Sequence, residues 1–147
     1  MNPITLQIID EKGNKLVNAS VPFSIGINVQ QIMDLAFVAA QSAQLPDPFL
    51  YTVEYYGYSQ NPQFPVYLGY EIESIGLNST GMKPTNAQFY WSLTVNGQAS
   101  QTGADSTYPP PGSTVVWTYT PISPAAPNLP LRTKEIHSRR AARFPKQ

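Results

Sequence analysis

Apolar and polar residues alternate along several short stretches of the chain, which predicts β-strands with one buried face. The clearest stretch is 89–95, whose alternating apolar residues are Phe89, Trp91, Leu93 and Val95. Asn96-Gly97 follows, and because both residues tolerate a positive φ they predict a two-residue hairpin turn. A returning strand is predicted over 115–119, entered through the turn at 109–112.

The same pattern predicts more strands upstream. An N-terminal hairpin is expected from strands over 4–9 and 16–21, joined by a turn at 11–14. Two further strands are expected over 49–56 and 66–75. The stretch 76–88 lacks a pattern and predicts a long loop, and loops of that length are usually functional or mobile.

In one stretch the apolar residues recur every three or four residues instead of every two, and this spacing predicts a helix over Val29–Ser42. Asn28 is the expected N-cap, with Gln31 three residues on as the amide form of a capping box. Prolines at 46 and 48 prevent the helix from continuing. The predicted buried stripe comprises Ile32, Leu35, Ala36 and Ala39, widened by Met33, Phe37 and Ala40.

The predicted order is strand, strand, helix, strand, strand and a final hairpin-like unit. A helix across one face of a mixed sheet in this order indicates an α+β fold of the β-grasp-like type. An all-β sandwich leaves the helix unexplained. We expect a β-grasp-like domain over 1–120, a proline-rich extended arm over 121–131 and a basic tail over 132–147.

Composition adds an asymmetry of charge. Charged residues make up 12% of the chain, about half the usual share of roughly 25%. A neutral, amide- and hydroxyl-rich surface is typical of extracellular, virion or filament proteins, although no signal peptide is visible and the compartment stays open. Residues 1–131 hold three lysines and eight acids, and 132–147 hold six basic residues and one acid. A body of net charge −5 and a tail of +5 indicate a partner, or a tail that folds back on the body.

The residue types needed for chemistry are scarce. There is no cysteine, and the single histidine, His137, lies in the tail, so neither a thiolate nor a histidine metal cluster is expected. Glu71 and Glu73 share a strand face and are expected to be solvated, and Asp105 is expected to bond its own turn backbone. We therefore expect a non-enzyme without a cofactor or metal, and no apolar run is long enough to span a membrane.

One part of the sequence resembles a known family. The string WSLTVNGQASQTGADSTYPPPGSTVVWTY is similar to the closing segment of the transcobalamin C-terminal-like (β-grasp, DUF4430-type) domains, and YLGYEIESIGL resembles their preceding strand. The resemblance covers about 4–119. It implies a domain that, in the vitamin carriers, closes over one face of a corrinoid held mainly by a separate helical barrel, which this sequence lacks. The ligand-binding residues it implies are Gly76, Leu77, Asn78, Gln101, Thr102 and Gly103.

Tyrosine is abundant, with nine copies, and not all of them can be core because each buried hydroxyl needs a hydrogen-bond partner. Alternation places Tyr90 on the face opposite Trp91, as a predicted contact residue for a flat ligand or a protein partner. The alternative is that the tyrosines decorate the open face of a sheet.

The last residues of the chain support a second hypothesis. Pro121, Pro124, Pro127 and Pro130 recur every third residue, as in polyproline II, and predict an arm of roughly 30 Å. Arg132, Arg139, Arg140 and Arg143 belong to the tail, which is either a disordered solubilising segment or a docking segment. Two functions stay open: a non-catalytic module that binds a small ligand or a protein partner, and an assembly subunit of a virion, filament or homo-oligomer. The acidic body disfavours nucleic acid except through the tail.

Overall fold

A computed structural model of the chain describes residues 2–42, 48–59, 63 and 66–122. The elements are β1 (Ile4–Ile9), β2 (Lys15–Val21), α1 (Val29–Ser42), β3 (Phe49–Tyr55), β4 (Tyr70–Leu77), β5 (Gly81–Pro84), β6 (Phe89–Val95), β7 (Gln98–Ala99), a 3₁₀ helix (Ala104–Ser106) and β8 (Thr114–Pro121).

The larger sheet has five strands in the order β2-β1-β8-β6-β7. β1 runs parallel to β8, whereas the pairs β1–β2, β6–β8 and β6–β7 are antiparallel, so the sheet is mixed. The helix α1 packs against β1 and β2, and Leu6, Ile32 and Trp117 are fully buried in the core that it shares with the sheet. The predicted α+β fold, with a helix on one face of a mixed sheet, is confirmed.

β3, β4 and β5 form a second, three-stranded antiparallel sheet. Two aromatic side chains of the larger sheet bond to the backbone of β5. The indole Nε1 of Trp91 donates to the carbonyl of Lys83 at 2.8 Å, and the hydroxyl of Tyr119 donates to the carbonyl of Pro84 at 2.7 Å. The Lys83 side chain also pairs with Glu11, Nζ to Oε1 at 3.1 Å. These contacts join the sheets at the end of β8.

The prediction of an unpatterned loop over 76–88 is wrong, because this stretch contains β5. β5 is only four residues long and has glycine and proline at its ends, so it is too short to show an alternation. Its pairing with β4 depends on Gly76. A Cβ added there would lie 2.0 Å from the carbonyl oxygen of Gly81.

The helix begins and ends where the sequence predicts, and its capping box is confirmed. The Gln31 amide donates to Oδ1 of Asn28 at 2.8 Å, and the Asn28 amide donates to Oε1 of Gln31 at 3.0 Å. The predicted stripe is partly wrong, since Leu35 is 45% exposed and Ala39 is also exposed. The residues of α1 that are buried are Val29, Ile32, Met33 and Ala36. No helix among the described residues has the length and hydropathy to cross a membrane.

The predicted Asn96-Gly97 turn is also confirmed, because the two residues have φ of 52° and 81°. The turn leads into the short β7 and then the 3₁₀ helix at 104–106, before β8 returns beside β6. The 3₁₀ helix packs against α1 and the beginning of β4, so it places Asp105 beside the second sheet.

Replacing Gly76 with alanine is expected to lower the free energy of unfolding by about 3 kcal/mol, because the new methyl group overlaps backbone that cannot move without breaking the β4–β5 pairing. Urea unfolding of the full chain measures the effect. Gly13→Ala is the control, since no atom lies within 4 Å of the added Cβ; its cost, which comes from the positive φ of Gly13, should stay near 1 kcal/mol. Equal losses for the two variants would contradict the overlap.

Asn28→Ala should cost about 1 kcal/mol, because it leaves the Gln31 amide without its cap. The Gln41→Ala variant, at an exposed position in the last turn of the same helix, should change the stability by less than about 0.5 kcal/mol. Urea unfolding of both variants distinguishes capping from a general effect of side-chain removal.

Candidate functional site

The pairing of β3 with β4 continues past the end of β3 and before the start of β4, and this extension forms a two-stranded ribbon. Tyr55 pairs with Tyr70 in register, and Tyr58 pairs with Tyr67 through an isolated bridge. The ribbon is held by backbone bonds from Tyr56 to Gly69 at 2.9 Å and from Leu68 to Gly57 at 2.7 Å. The ribbon therefore places two cross-strand tyrosine pairs next to each other.

The rings of these four tyrosines form one contiguous surface, which we call the tyrosine surface: Tyr55, Tyr58, Tyr67 and Tyr70. Ring centroids are 4.9 Å apart for Tyr55 and Tyr70, 6.3 Å for Tyr55 and Tyr67, and 5.1 Å for Tyr58 and Tyr67. Tyr55 is 50% exposed and Tyr58 is 61% exposed. Large, rigid, accessible aromatic rings of this kind are typical of contact surfaces.

The inward side of the ribbon anchors it. Tyr56 and Leu68 point away from the tyrosine surface and are buried together in a small apolar cluster. The hydroxyl of Tyr56 donates to Oε2 of Glu54 at 3.1 Å, which satisfies its polar end. The buried contacts on this side of the ribbon thus come from Tyr56 and Leu68.

Asp105 connects the tyrosine surface to the larger sheet. Its Oδ2 accepts a hydrogen bond from the Tyr67 hydroxyl at 2.8 Å, and its Oδ1 accepts one from the Tyr70 amide at 3.0 Å. Its carbonyl accepts from Nδ2 of Asn28 at 3.3 Å, which also ties it to the start of α1. The prediction that the Asp105 side chain bonds its own turn is wrong: its partners are more than 30 residues away along the chain.

Gly69 allows the Asp105 carboxylate to lie close to the backbone of the ribbon. It has a φ of +65°, and a Cβ added there would lie 2.5 Å from Oδ1 of Asp105 and 2.9 Å from the ring of Tyr67. Only glycine accommodates both the backbone conformation and the carboxylate at this point.

The carboxylate of Asp105 also affects the ionisation of Tyr67. The hydrogen bond from the Tyr67 hydroxyl to Asp105, reinforced by burial, raises the pKa of this phenol well above its ordinary value. The phenol of Tyr67 therefore stays protonated and keeps donating to Asp105 above the pH at which a free tyrosine ionises.

Acidic side chains lie close to the tyrosine surface. Glu54 comes one position before Tyr55 and Glu71 one position after Tyr70; the two glutamates pair in register and so lie on the other face of the ribbon. The lysines of the described residues lie elsewhere: Lys12 and Lys15 at the β1–β2 turn, and Lys83 in its pair with Glu11. This end of the ribbon is both aromatic and negatively charged.

The predicted ligand residues at 76–78 have a different position. Gly76 and Leu77 are the last residues of β4, and Asn78 begins the turn to β5. Gly76 pairs with Met82, and Leu77 pairs with Phe49 and Gly81. They lie at the far end of β4 from Asp105, about seven strand residues or roughly 23 Å along it.

Gln101, Thr102 and Gly103 form the loop before the 3₁₀ helix. The polar groups of this loop bond one another: the Thr107 hydroxyl lies 2.7 Å from Oγ1 of Thr102 and donates to the carbonyl of Gly103 at 2.8 Å. Because this loop leads to Asp105, it lies at the opposite end of β4 from 76–78. The structure does not bring the two predicted ligand loops together.

Tyr90 corrects another prediction. It was expected to be an exposed contact residue, but it is only 8% exposed, and this burial raises the pKa of its phenol. Trp91, on the opposite face of β6, is buried as well. Alternation predicts which face a residue occupies but not whether that face is covered, and both faces of β6 are covered here.

A cleft of about 280 Å³ lies between β2, α1 and the start of β3. Ala36, Ala39 and Ala40 leave room on the helix, and Leu77 and Phe49 form part of the other wall. None of the described residues that line it has a titratable side chain. Its volume is near the lower limit for small-molecule sites, and of the predicted ligand residues only Leu77 contributes to it.

The remaining predicted residues are at the C-terminus. Pro121 is the exposed last residue of β8, paired with Phe89, and not the start of a separate arm. Pro124, Pro127, Pro130, Arg132, Arg139, Arg140 and Arg143 lie outside the described residues. Within the described part of the chain, no group of three histidine, cysteine or acidic side chains could hold a metal ion.

Part of the chain, which includes the tyrosine surface, is similar to a known protein family. Residues 54–121 match the family described as Domain of unknown function (DUF4430). This segment includes the four tyrosines and Asp105. Among curated proteins, none matches the chain.

One solved structure is similar in shape. Its description is "Crystal structure of a putative metal binding protein from Ruminococcus gnavus ATCC 29149", and the superposition covers 84% of this chain and 100% of that chain, with 15% sequence identity and a TM-score of 0.49.

Replacing Asp105 with asparagine should lower the pKa of the Tyr67 phenol towards its ordinary value, because the carboxylate that holds the proton is lost. Spectrophotometric titration at the tyrosinate band, assigned by NMR of the ring carbons, measures the shift. Asp34→Asn is the matched control. Asp34 accepts from the hydroxyl of Tyr51, so this variant should move Tyr51 and leave Tyr67 unchanged.

The same hydrogen bond predicts how stability depends on pH. Since the folded-state pKa of Tyr67 is raised, its contribution is fully present below the unfolded-state pKa of about 10 and is lost as the pH rises above it. The loss of stability above pH ~10 should therefore be smaller in Asp105→Asn than in the parent chain. Equal slopes would contradict the assignment.

Proposed function

We propose that the chain is a non-catalytic binding domain and that it takes its ligand or protein partner through the tyrosine surface. The observation that carries the proposal is the set of four adjoining tyrosine rings, three exposed and that of Tyr67 half-buried, on a ribbon that a hydrogen bond to the half-buried Asp105 carboxylate holds in place. Folding alone does not require this arrangement, because Tyr56 and Leu68 supply the ribbon's buried contacts.

The chemistry available at this surface supports binding rather than bond-making. Phenol rings offer stacking faces and hydroxyl groups, and both act without proton transfer at neutral pH. Asp105 is engaged by Tyr67 and Tyr70. General acid–base catalysis needs a positioned group whose pKa is near the working pH, whereas the phenol of Tyr67 is shifted away from it.

A finer version of the proposal follows the resemblance to the transcobalamin C-terminal-like domains. On this version the ligand is a flat, conjugated ring system of the corrinoid or tetrapyrrole kind, stacked on the tyrosine rings. The proposal moves the contact from the implied loops at 76–78 and 101–103 to the tyrosine surface, because the two loops lie at opposite ends of β4.

The second candidate is an assembly subunit. Three apolar side chains support it: Ile25 is 87% exposed, Val38 is 56% exposed and Leu35 is 45% exposed, the last two on the outer side of α1. Exposed apolar residues that lie together are typical of surfaces that meet another protein. The opposite charges of body and tail favour the same reading.

The test is a titration of the full-length chain with cyanocobalamin and with haem, followed by calorimetry and by NMR of the tyrosine rings. Binding at the tyrosine surface should shift the signals of Tyr55, Tyr58 and Tyr70. Tyr55→Ala or Tyr70→Ala should weaken the affinity about tenfold, as for a contact residue at the centre of an interface.

Tyr108→Ala is the matched control for this titration. Tyr108 is 61% exposed but makes none of the ring contacts of the tyrosine surface, so the affinity should not change. Absence of heat and of ring shifts with both probes would exclude the ring-ligand version. Binding that is insensitive to Tyr55→Ala and Tyr70→Ala would exclude the tyrosine surface.

A further inference from the structure

The four rings of the tyrosine surface are tilted against one another instead of lying in one plane. The interplanar angle is 47° between Tyr55 and Tyr70, 52° between Tyr55 and Tyr67, and 59° between Tyr58 and Tyr67. A flat ligand can therefore lie parallel to only one of these rings at a time, which limits its stacking to that ring. A compact, rounded ligand has no such limit, because its contacts do not need a common plane.

We propose that the tyrosine surface binds a quaternary ammonium group, carried by a small free cation of the choline kind that has no acidic group. This inference rests on the proposed function and names the ligand class of the same surface. A cation is attracted to the face of an aromatic ring within about 6 Å of its centroid, and clustered aromatic rings are the usual receptors for quaternary ammonium groups. The centroids of neighbouring rings here are 4.9 to 6.3 Å apart, so one such group can lie within this range of two rings at once.

The charge at this end of the ribbon favours a cation. Asp105 lies directly behind the rings, with its Oδ2 2.8 Å from the Tyr67 hydroxyl. Residues 1–131 contain three lysines, eight acids and no arginine. The lysines lie at the β1–β2 turn and in the pair with Glu11, towards the other end of β4 from Asp105. A cation therefore meets an attractive potential at the tyrosine surface.

The same charges restrict what else the ligand can carry. A carboxylate or phosphate next to the ammonium group would be repelled by Asp105 and by the net negative charge of residues 1–131. This repulsion selects choline over a betaine or a phosphocholine, and it selects a free cation over the headgroup of a phosphatidylcholine membrane.

Two of the rings are held in place before a ligand arrives. The ring of Tyr55 lies over Gly57, where an added Cβ would be 3.5 Å from its Cε2 atom, and the ring of Tyr67 lies over Gly69, where an added Cβ would be 2.9 Å from Cε2. The hydroxyl of Tyr67 is fixed in addition by Asp105. Side chains that are already ordered lose little entropy on binding, so more of the attraction contributes to the affinity.

Asp105 also strengthens the attraction of Tyr67 for a cation. A phenol that donates a hydrogen bond to a carboxylate is polarised by it and gains electron density on its ring, and an electron-rich ring attracts a cation more strongly. The carboxylate is half-buried, so solvent screens its charge less than at an exposed position. Loss of this charge should weaken the binding of a cation and leave that of a neutral ligand of the same shape unchanged.

The experiment titrates the full-length chain with choline and follows the NMR signals of the tyrosine rings. Neohexanol is the matched neutral ligand, because it has the shape of choline with carbon in place of nitrogen. Choline should bind about tenfold more tightly than neohexanol, and glycine betaine should bind more weakly than choline because it carries a carboxylate. Nuclear Overhauser effects should connect the N-methyl protons of choline with ring protons of Tyr55 and of Tyr67 or Tyr70.

Variants separate the rings from the charge. Tyr55→Leu should weaken choline binding about fivefold, because Tyr55 belongs to two of the three ring pairs, whereas Tyr55→Phe keeps the ring and should change it less than about twofold. Asp105→Asn should weaken choline binding about fivefold and leave neohexanol unchanged. The chemical shifts of Tyr56 and Leu68 report whether the ribbon is intact in each variant.

Two matched controls should leave the affinity for choline unchanged. Tyr108→Leu removes a ring that is 61% exposed but makes none of the ring contacts of the tyrosine surface. Asp34→Asn removes the same charge as Asp105→Asn, but from the helix α1, where Asp34 accepts from Tyr51. Equal effects of Asp34→Asn and Asp105→Asn would contradict a local action of Asp105.

The outcomes separate this inference from the proposed function. Choline that binds no more tightly than neohexanol, or Overhauser effects that fall only outside the tyrosine surface, overturn the inference. Binding to phosphatidylcholine vesicles without binding to free choline also overturns it, and so do Overhauser effects in the free chain between these rings and the arginines of residues 132–147. If cyanocobalamin, haem or a protein partner still binds to the tyrosine surface in these cases, the proposed function stands alone.

Discussion

The carboxylate of Asp105 is the contact on which the candidate site depends. It receives the Tyr67 hydroxyl and the Tyr70 amide, and so joins the 3₁₀ helix of the larger sheet to a ribbon that extends from the smaller one. A charged acceptor makes these bonds stronger than neutral ones. The close approach requires Gly69, because any Cβ would overlap the carboxylate. One acid and one glycine therefore determine where the four tyrosine rings lie.

The fold was largely predictable because its signals are local. The bounds of α1, its reciprocal Asn28–Gln31 cap and the Asn96-Gly97 turn all depend on residues within four positions of each other. The division into two sheets was not predictable, since it depends on bonds from Trp91 and Tyr119 to the backbone of a four-residue strand. Leu35 was misplaced because apolar residues nearly surround α1, and such a pattern does not determine which side is buried.

The site was harder to predict because it depends on contacts between residues that are far apart along the chain. The abundance of tyrosine was visible, and so was the argument that some must be exposed, but Tyr90 was selected and is buried. The register of β3 with β4, which pairs Tyr55 with Tyr70, could have indicated the tyrosine surface had the first strand been extended through Gly57, as the predicted strand over 66–75 already ran through Gly69. Nothing local indicates the partners of Asp105, which are 35 and 38 residues away.

The separation of the ribbon's two faces has an evolutionary consequence. Tyr56 and Leu68 are buried on the inner face of the ribbon, while Tyr55 and Tyr58 are exposed and bury little apolar surface on folding. Substitutions at the outer positions therefore change the exposed surface at small cost in stability, in the way that antibody loops vary on a constant framework. Proteins that share this scaffold would differ most at the outer positions of the ribbon, while their interiors stayed alike.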